Sequence, residues 1–223
     1  MTAVIGELLP FALGIMISPI PIIAAILMLL SPKARRTSLG FLAGWAVGIA
    51  VATVVFTLLS ALIPEDGASD SKPIAGTITI ILGALLLFLS IHEWRSRPRP
   101  GAEPAFPKWM AAIDTMTAPR GLALGFALAA LNPKNLIMAA SAGSVIAAGK
   151  MNTGQTITVV ILFVIVAAAS VGIPVIAYFV ASDRLSAALE GMRKWLLTNN
   201  AVIMAVLLLV TGVSQIGKGI GKF

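Results

Sequence analysis

The chain has 223 residues, 58% of them hydrophobic and 11% charged, with a mean hydropathy of +0.99. A soluble domain of this length has no core large enough to hide so much apolar surface, so lipid must be its main solvent. Its net charge of +7 sits in loops beside apolar runs, which points to anionic headgroups and membrane lipids as neighbours and not to nucleic acid. The absence of cysteine excludes disulfides and thiol electron transfer.

The first apolar run covers 4–30. It carries Glu7 near its start and is interrupted by Ser18-Pro19-Ile20-Pro21. No Lys or Arg opens the N-terminus and no small-residue cleavage site follows, so a retained first helix is expected. The second run, 39–63, places Gly40, Gly44, Gly48 and Ala52 on one helical face, the pattern of a helix-packing seam, with a sliding surface as the alternative. The third, 74–91, ends at His92, Glu93 and Trp94, read as solvated interfacial residues. A basic linker over 93–120 includes Trp109, Met110 and Ile113 at the spacing of a short surface helix.

The fourth run, 121–148, contains Asn132-Pro133-Lys134-Asn135. The fifth, 155–181, includes Pro174, expected to kink it. An amphipathic segment over 182–198 follows, with Leu185, Leu189, Met192 and Leu196 on one face and Asp183 placed to cap it. The sixth run is 199–216. Continuous Leu, Ile, Val and Ala over these lengths predicts membrane helices and not the short alternating segments of a barrel.

Charge sets the expected orientation. Eleven Lys and Arg fall in the loops of one side, around Arg35, Arg97 and Arg184, against four on the other. The first side is predicted to be cytoplasmic in a bacterial inner (plasma) membrane, with both termini outside. Trp94, Trp109 and Trp195 flank spans on that side as interfacial anchors do. Three helices per half give the halves opposite sense. The predicted fold is therefore an all-α polytopic membrane protein of six transmembrane helices, built as two inverted three-helix repeats over 1–92 and 121–223, with Pro-broken first and fourth helices.

Ser18-Pro19 and Asn132-Pro133 have the form of helix starts, a polar N-cap followed by proline at the first helical position, yet both lie inside an apolar span. Each span is expected to break there. The following half-helices would direct free N–H groups and a positive dipole end toward a shared site that favours an anion. Lys134 lies 13 residues into its span, roughly 20 Å along an ideal helix, beyond the reach of snorkelling. A cation at that depth costs at least ~2.5 kcal/mol and needs an interior partner or a hydrated pathway. The candidate substrate-binding set is Lys134, Asn132, Pro133, Asn135, Ser18, Pro19 and Pro21. The plainer readings are that the prolines only kink helices, that Asn132, Asn135, Ser18 and Ser141 satisfy freed carbonyls, and that Lys134 pairs with Glu7.

Apart from Glu7 no carboxylate falls within an apolar run, and there is no His-Asp-Glu cluster to hold a metal. No phosphate-binding Gly-rich loop and no nucleophile with its base can be named, so neither an enzyme nor a cofactor is expected.

The run from Ala130 to Leu136 resembles the signature of the Sap family, the sulfolipid- and glycopeptidolipid-addressing proteins, within the lysine exporter superfamily. Further similar pieces are 18–21, 31–36 followed by Gly40 to Gly48, Trp109 with Ile113 and Asp114, Trp195 with Asn199 and Asn200, and 216–219. The resemblance spans nearly the whole chain. It implies six helices and a role in delivering envelope lipids or glycolipids toward the cell surface; taken with Lys134 and the two half-helix starts, the expectation is a transporter or flippase exporting an anionic lipid or glycolipid of the cell envelope. Amino-acid exporters of the superfamily have similar Pro-x-Pro and Asn-Pro-Lys elements, so export of a small amphiphilic or amino-acid solute stays open. So does a non-transporting role beside a lipid synthase or larger exporter. A homo-oligomer or a partner in envelope-lipid biosynthesis is compatible with either.

Overall fold

The computed structural model describes residues 1–31, 33–62, 73–97, 113, 116–221 and 223, with the side chains of 181–184 left out. The surface helix expected around Trp109 and Met110 lies outside the described residues, as does most of the basic linker; Ile113 and Met116 at its end are buried. The described residues are helical, with no strand: α1 (Thr2–Met16), α2 (Pro19–Leu29), α3 (Ala34–Ala61), α4 (Pro73–Arg95), α5 (Ala118–Ala130), α6 (Pro133–Ala148) and α7 (Thr153–Ile220).

Among the described residues four stretches are long and apolar enough to cross a membrane, Ala34–Ala61, Pro73–Arg95, Thr153–Val180 and Leu185–Ile220. There are six if each of two bent pairs counts as one span. The bent pairs are α1 with α2, at 54°, and α5 with α6, at 64°. Both breaks fall at the polar-Pro steps. Proline cannot donate to the helix ladder and clashes with the preceding turn, and the residue before it is pushed into extended backbone. Ser18 accordingly has φ −89°, ψ 106° and Asn132 has φ −76°, ψ 121°.

The fifth span, amphipathic segment and sixth span are not separate helices, because helical backbone continues from Thr153 to Ile220. α7 is nevertheless no straight rod. Ala12 of α1 and Val166 line the same small pocket, while Lys218 sits over the ring of Phe11, the residue before Ala12. On a straight helix Val166 and Lys218 would be roughly 80 Å apart, so α7 changes direction between its two apolar stretches. Leu189 and Leu196 are buried, as the amphipathic pattern requires, but Met192 is exposed. Asn152 opens α7 with a reciprocal capping box involving Gln155.

Small residues decide which helices touch. A Cβ at Gly40 would collide with the backbone of Ala118, one at Gly44 with Leu122, and one at Gly48 with Phe126 and Ala129. From α5, Gly121 and Gly125 press on Thr37 and Phe41. The two series ascend together, so α3 and α5 run parallel, backbone to backbone. Gly40, Gly44 and Gly48 all lie on this contact, and α5 meets them with its own small residues. A second seam was not read from the sequence. Gly76 meets Gly219, Gly83 meets Gly212, and Ser90 Oγ donates to the Ala205 carbonyl at 2.7 Å. Here one series rises as the other falls in steps of seven, so α4 runs antiparallel to the second stretch of α7.

The outward faces remain apolar, with Phe88, Ile173, Val180 and Val210 all exposed. Such residues would be costly against water and are at home against acyl chains.

Candidate functional site

The two helix breaks have the same construction. α1 closes with Ile17 N–H on the Leu13 carbonyl, and α5 closes with Leu131 N–H on the Ala127 carbonyl, both at 2.9 Å. The N-cap residue then leaves the helix. This frees the carbonyl four residues before it, which is Gly14 O at the first break and Leu128 O at the second. A carbonyl stranded in an apolar interior costs free energy comparable to a lost hydrogen bond, so each needs a donor.

Both donors come from the first turn of α6. Lys134 Nζ donates to Gly14 O at 2.7 Å, and Asn135 Nδ2 donates to Leu128 O at 3.0 Å. Lys134 Nζ makes a second bond, 2.8 Å, to Ser18 Oγ. One ammonium therefore ties the start of α6 to both sides of the α1/α2 break. Its side chain is 3% exposed, and the charge is met by neutral oxygens at the carbonyl end of α1, where the helix dipole is negative.

Among the described residues no carboxylate lies within ion-pair distance of Lys134, and the alternative pairing with Glu7 does not form. Glu7 faces another cavity. Glu93 is the carboxylate whose charge acts on Lys134 through space. It sits near the end of α4, half-buried, and is not simply the solvated interfacial residue expected from sequence.

The remaining site residues divide by role. Asn132 caps α6, its Oδ1 accepting from Lys134 N–H at 3.0 Å. Pro133 is exposed beside Leu131, so the α5/α6 break reaches the outer surface of the bundle. Pro19 and Pro21 are buried in α2. They also correct one expectation. With proline at the first and third positions, Ile20 is the lone N–H donor among the first three residues of α2, while α6 has already committed Lys134 N–H to Asn132. The half-helix starts meet, but as poor donors of backbone N–H groups. Ser18 makes no side-chain cap bond; its hydroxyl accepts from the ammonium instead.

The expected cavity shared by the two starts is also replaced by close packing, with Lys134 and Asn135 at 3% and 1% exposure. Asn135 Oδ1 is buried without a hydrogen-bond partner. Cavities lie to either side. One of about 340 Å³ is lined by Glu7, Thr79, Ser141, Ser144, Gln215 and Lys218 among others. Ser141 is two turns beyond Lys134 on α6, about 10 Å, and its hydroxyl accepts from Gln215 Nε2 at 2.8 Å, a pairing for which the lone Gln of the last span was the overlooked signal. The other, about 760 Å³, opens where the starts of α3 and α5 come together. No group of three His, Cys, Asp or Glu side chains gathers to hold a metal among the described residues.

A family model described as Sap, sulfolipid-1-addressing protein, matches residues 8–221. The chain belongs to that family. No curated protein and no solved structure matches it.

Proposed function

We propose that this protein is a membrane transporter that exports an anionic lipid or glycolipid, whose headgroup takes the place of neutral oxygens around Lys134. The observation that carries the reading is the Lys134 ammonium, enclosed at the meeting point of two helix breaks and held by Gly14 O and Ser18 Oγ, with no carboxylate in contact among the described residues. Structural lysines at such depth usually have a counter-charge. Here, among the described residues, Glu93 acts only through space and the hydrogen-bond partners are oxygens that an anionic group can displace, since a charge-assisted bond to sulfate or phosphate is stronger than one to a neutral oxygen. The unpartnered Asn135 Oδ1 would accept from a hydroxyl or a protonated headgroup oxygen.

Three further features support the reading. Cavities on opposite sides of the Lys134 plug suit alternating access. The break that reaches the outer surface at Leu131 and Pro133 suits a substrate whose chains stay in lipid while its headgroup enters. The family's description names sulfolipid, an anionic lipid.

We further infer six spans in two inverted halves, 1–92 and 121–223, in a bacterial plasma membrane with both termini outside. The equivalence of Ser18 with Asn132, Pro19 with Pro133 and Gly14 with Leu128, all offset by the same 114 positions, supports it. So does the parallel packing of α3 with α5.

The test is translocation of a fluorescently labelled sulfated lipid in proteoliposomes, beside a zwitterionic lipid with the same chains. Protein-dependent movement of the sulfated lipid alone is expected. Equal movement of both would remove the headgroup site, and movement of neither would favour a non-transporting partner with a solid core.

A further inference from the structure

The larger cavity is lined by basic residues and lies apart from Lys134. It lies at one end of the bundle, walled by Lys33, Arg35 and Arg36 from the start of α3, by Met116 and Thr117 before α5, and by Tyr178 of α7. Lys33, Arg35 and Arg36 are exposed, and among the described residues no carboxylate is within ion-pair distance of them. Arg35 is partly engaged, its guanidinium 5.8 Å from the centre of the Phe179 ring; Lys33 and Arg36 are available. Three cations around one concavity of about 760 Å³ repel one another unless an anion sits between them.

The backbone adds to the same sign. Because the Gly40 and Gly121 contacts hold α3 and α5 parallel and side by side, both helices start at this cavity, and their positive dipole ends point into it together. Thr117, the N-cap of α5, makes no side-chain cap bond, so its hydroxyl is free to donate. Met116 and Tyr178 give the cavity an apolar wall, which an inorganic ion would not use and an acyl chain would. The separation from Lys134 is large. Ser31, at the cavity rim, follows Ser18 by 13 residues, almost all of them in α2, which is roughly 20 Å.

We propose that this cavity is the receiving site for an anionic amphiphile with a phosphate or sulfate headgroup, gripped by Lys33 and Arg36 with its chain against Met116 and Tyr178, before the headgroup moves along α2 to Lys134. The onward step rests on the transport reading; the binding site does not.

The experiment uses the full chain in neutral detergent and measures binding of short-chain phosphatidic acid, of short-chain phosphatidylcholine, and of inorganic phosphate and sulfate. The variants are Lys33→Gln/Arg36→Gln and the charge-keeping Lys33→Arg/Arg36→Lys. Wild type should bind phosphatidic acid at least about tenfold more tightly than phosphatidylcholine or either inorganic ion, because only the amphiphile uses both charge and wall. The Gln pair should lose about tenfold or more, and the charge-keeping pair should stay within about threefold. Undiminished binding by a folded Gln pair overturns the site, and inorganic phosphate binding as tightly as the lipid overturns the amphiphile assignment. Failure of the transport reading looks different: intact, Lys33- and Arg36-dependent binding by a protein that translocates nothing.

Discussion

Lys134 Nζ lies 2.8 Å from Ser18 Oγ, and the same ammonium bonds Gly14 O across the gap that Pro19 opens. A side chain at the start of the second broken helix thus closes the break in the first. The contact makes the two breaks one energetic unit. A double-mutant cycle over Ser18→Ala and Lys134→Met should give a coupling of about 1.5 to 3 kcal/mol, the range for hydrogen bonds to a charged group. Thermal unfolding of the four proteins in one detergent measures it, and additivity within about 0.3 kcal/mol would mean that the contact carries no stability.

The parallel packing of α3 on α5 predicts a steep steric response. At Gly44 a new Cβ would run into the carbonyl of Leu122, and at Gly48 it would come within 2.7 Å of Ala129 Cβ. Backbone cannot yield there as a flexible side chain could. Gly44→Val is expected to destabilise by about 3 kcal/mol or more, while Gly191→Val, at a helical glycine with nothing near its missing Cβ, should cost about 1 kcal/mol or less.

Asn132 has a local task that separates from any role in binding. Its Oδ1 caps α6, so Asn132→Ala should cost about 1 kcal/mol of stability and Asn132→Ser should recover most of it. If binding of the headgroup also uses the amide, transport by Asn132→Ser will remain impaired after stability has returned. Matching recovery of both in the same preparation would confine Asn132 to capping.

The orientation can be tested in this cysteine-free chain with single substitutions. Ser96→Cys lies among the basic residues after α4, and Met151→Cys lies between α6 and α7. An impermeant thiol reagent applied to intact cells should label Met151→Cys and leave Ser96→Cys untouched until the membrane is opened. The reverse pattern would invert the assignment.

Much of this architecture was legible in the sequence because lipid imposes simple rules. Apolar run length located the candidate spans, and Ser18-Pro19 and Asn132-Pro133 located both breaks, since proline enforces them whatever surrounds it. Gly40, Gly44 and Gly48 showed a seam, yet not that α5 would fill it, and Gly76, Gly83, Gly212 and Gly219 went unread because a seam spaced by seven shows little in one strand of sequence. The depth of Lys134 was visible. Its partners were not, because Gly14 contributes a backbone oxygen that any residue would have, and because the field of Glu93 depends on how α4 lies against α6. The weak donor capacity of α2 could have been read from Pro19-Ile20-Pro21 by counting N–H groups. The basic cavity could not, since Arg36 and Tyr178 meet only through packing.

The central claim is that the charge of Lys134 exists for an anionic substrate. Its most direct test is the rate of sulfated-lipid translocation in proteoliposomes by wild type, Lys134→Gln and Lys134→Arg, each also assayed for thermal stability. The account predicts that Lys134→Gln inserts and folds, with stability lowered by no more than about 3 kcal/mol, while translocation falls at least about a hundredfold, and that Lys134→Arg keeps a measurable part of the rate. Translocation at the wild-type rate by a stable Lys134→Gln protein would contradict it.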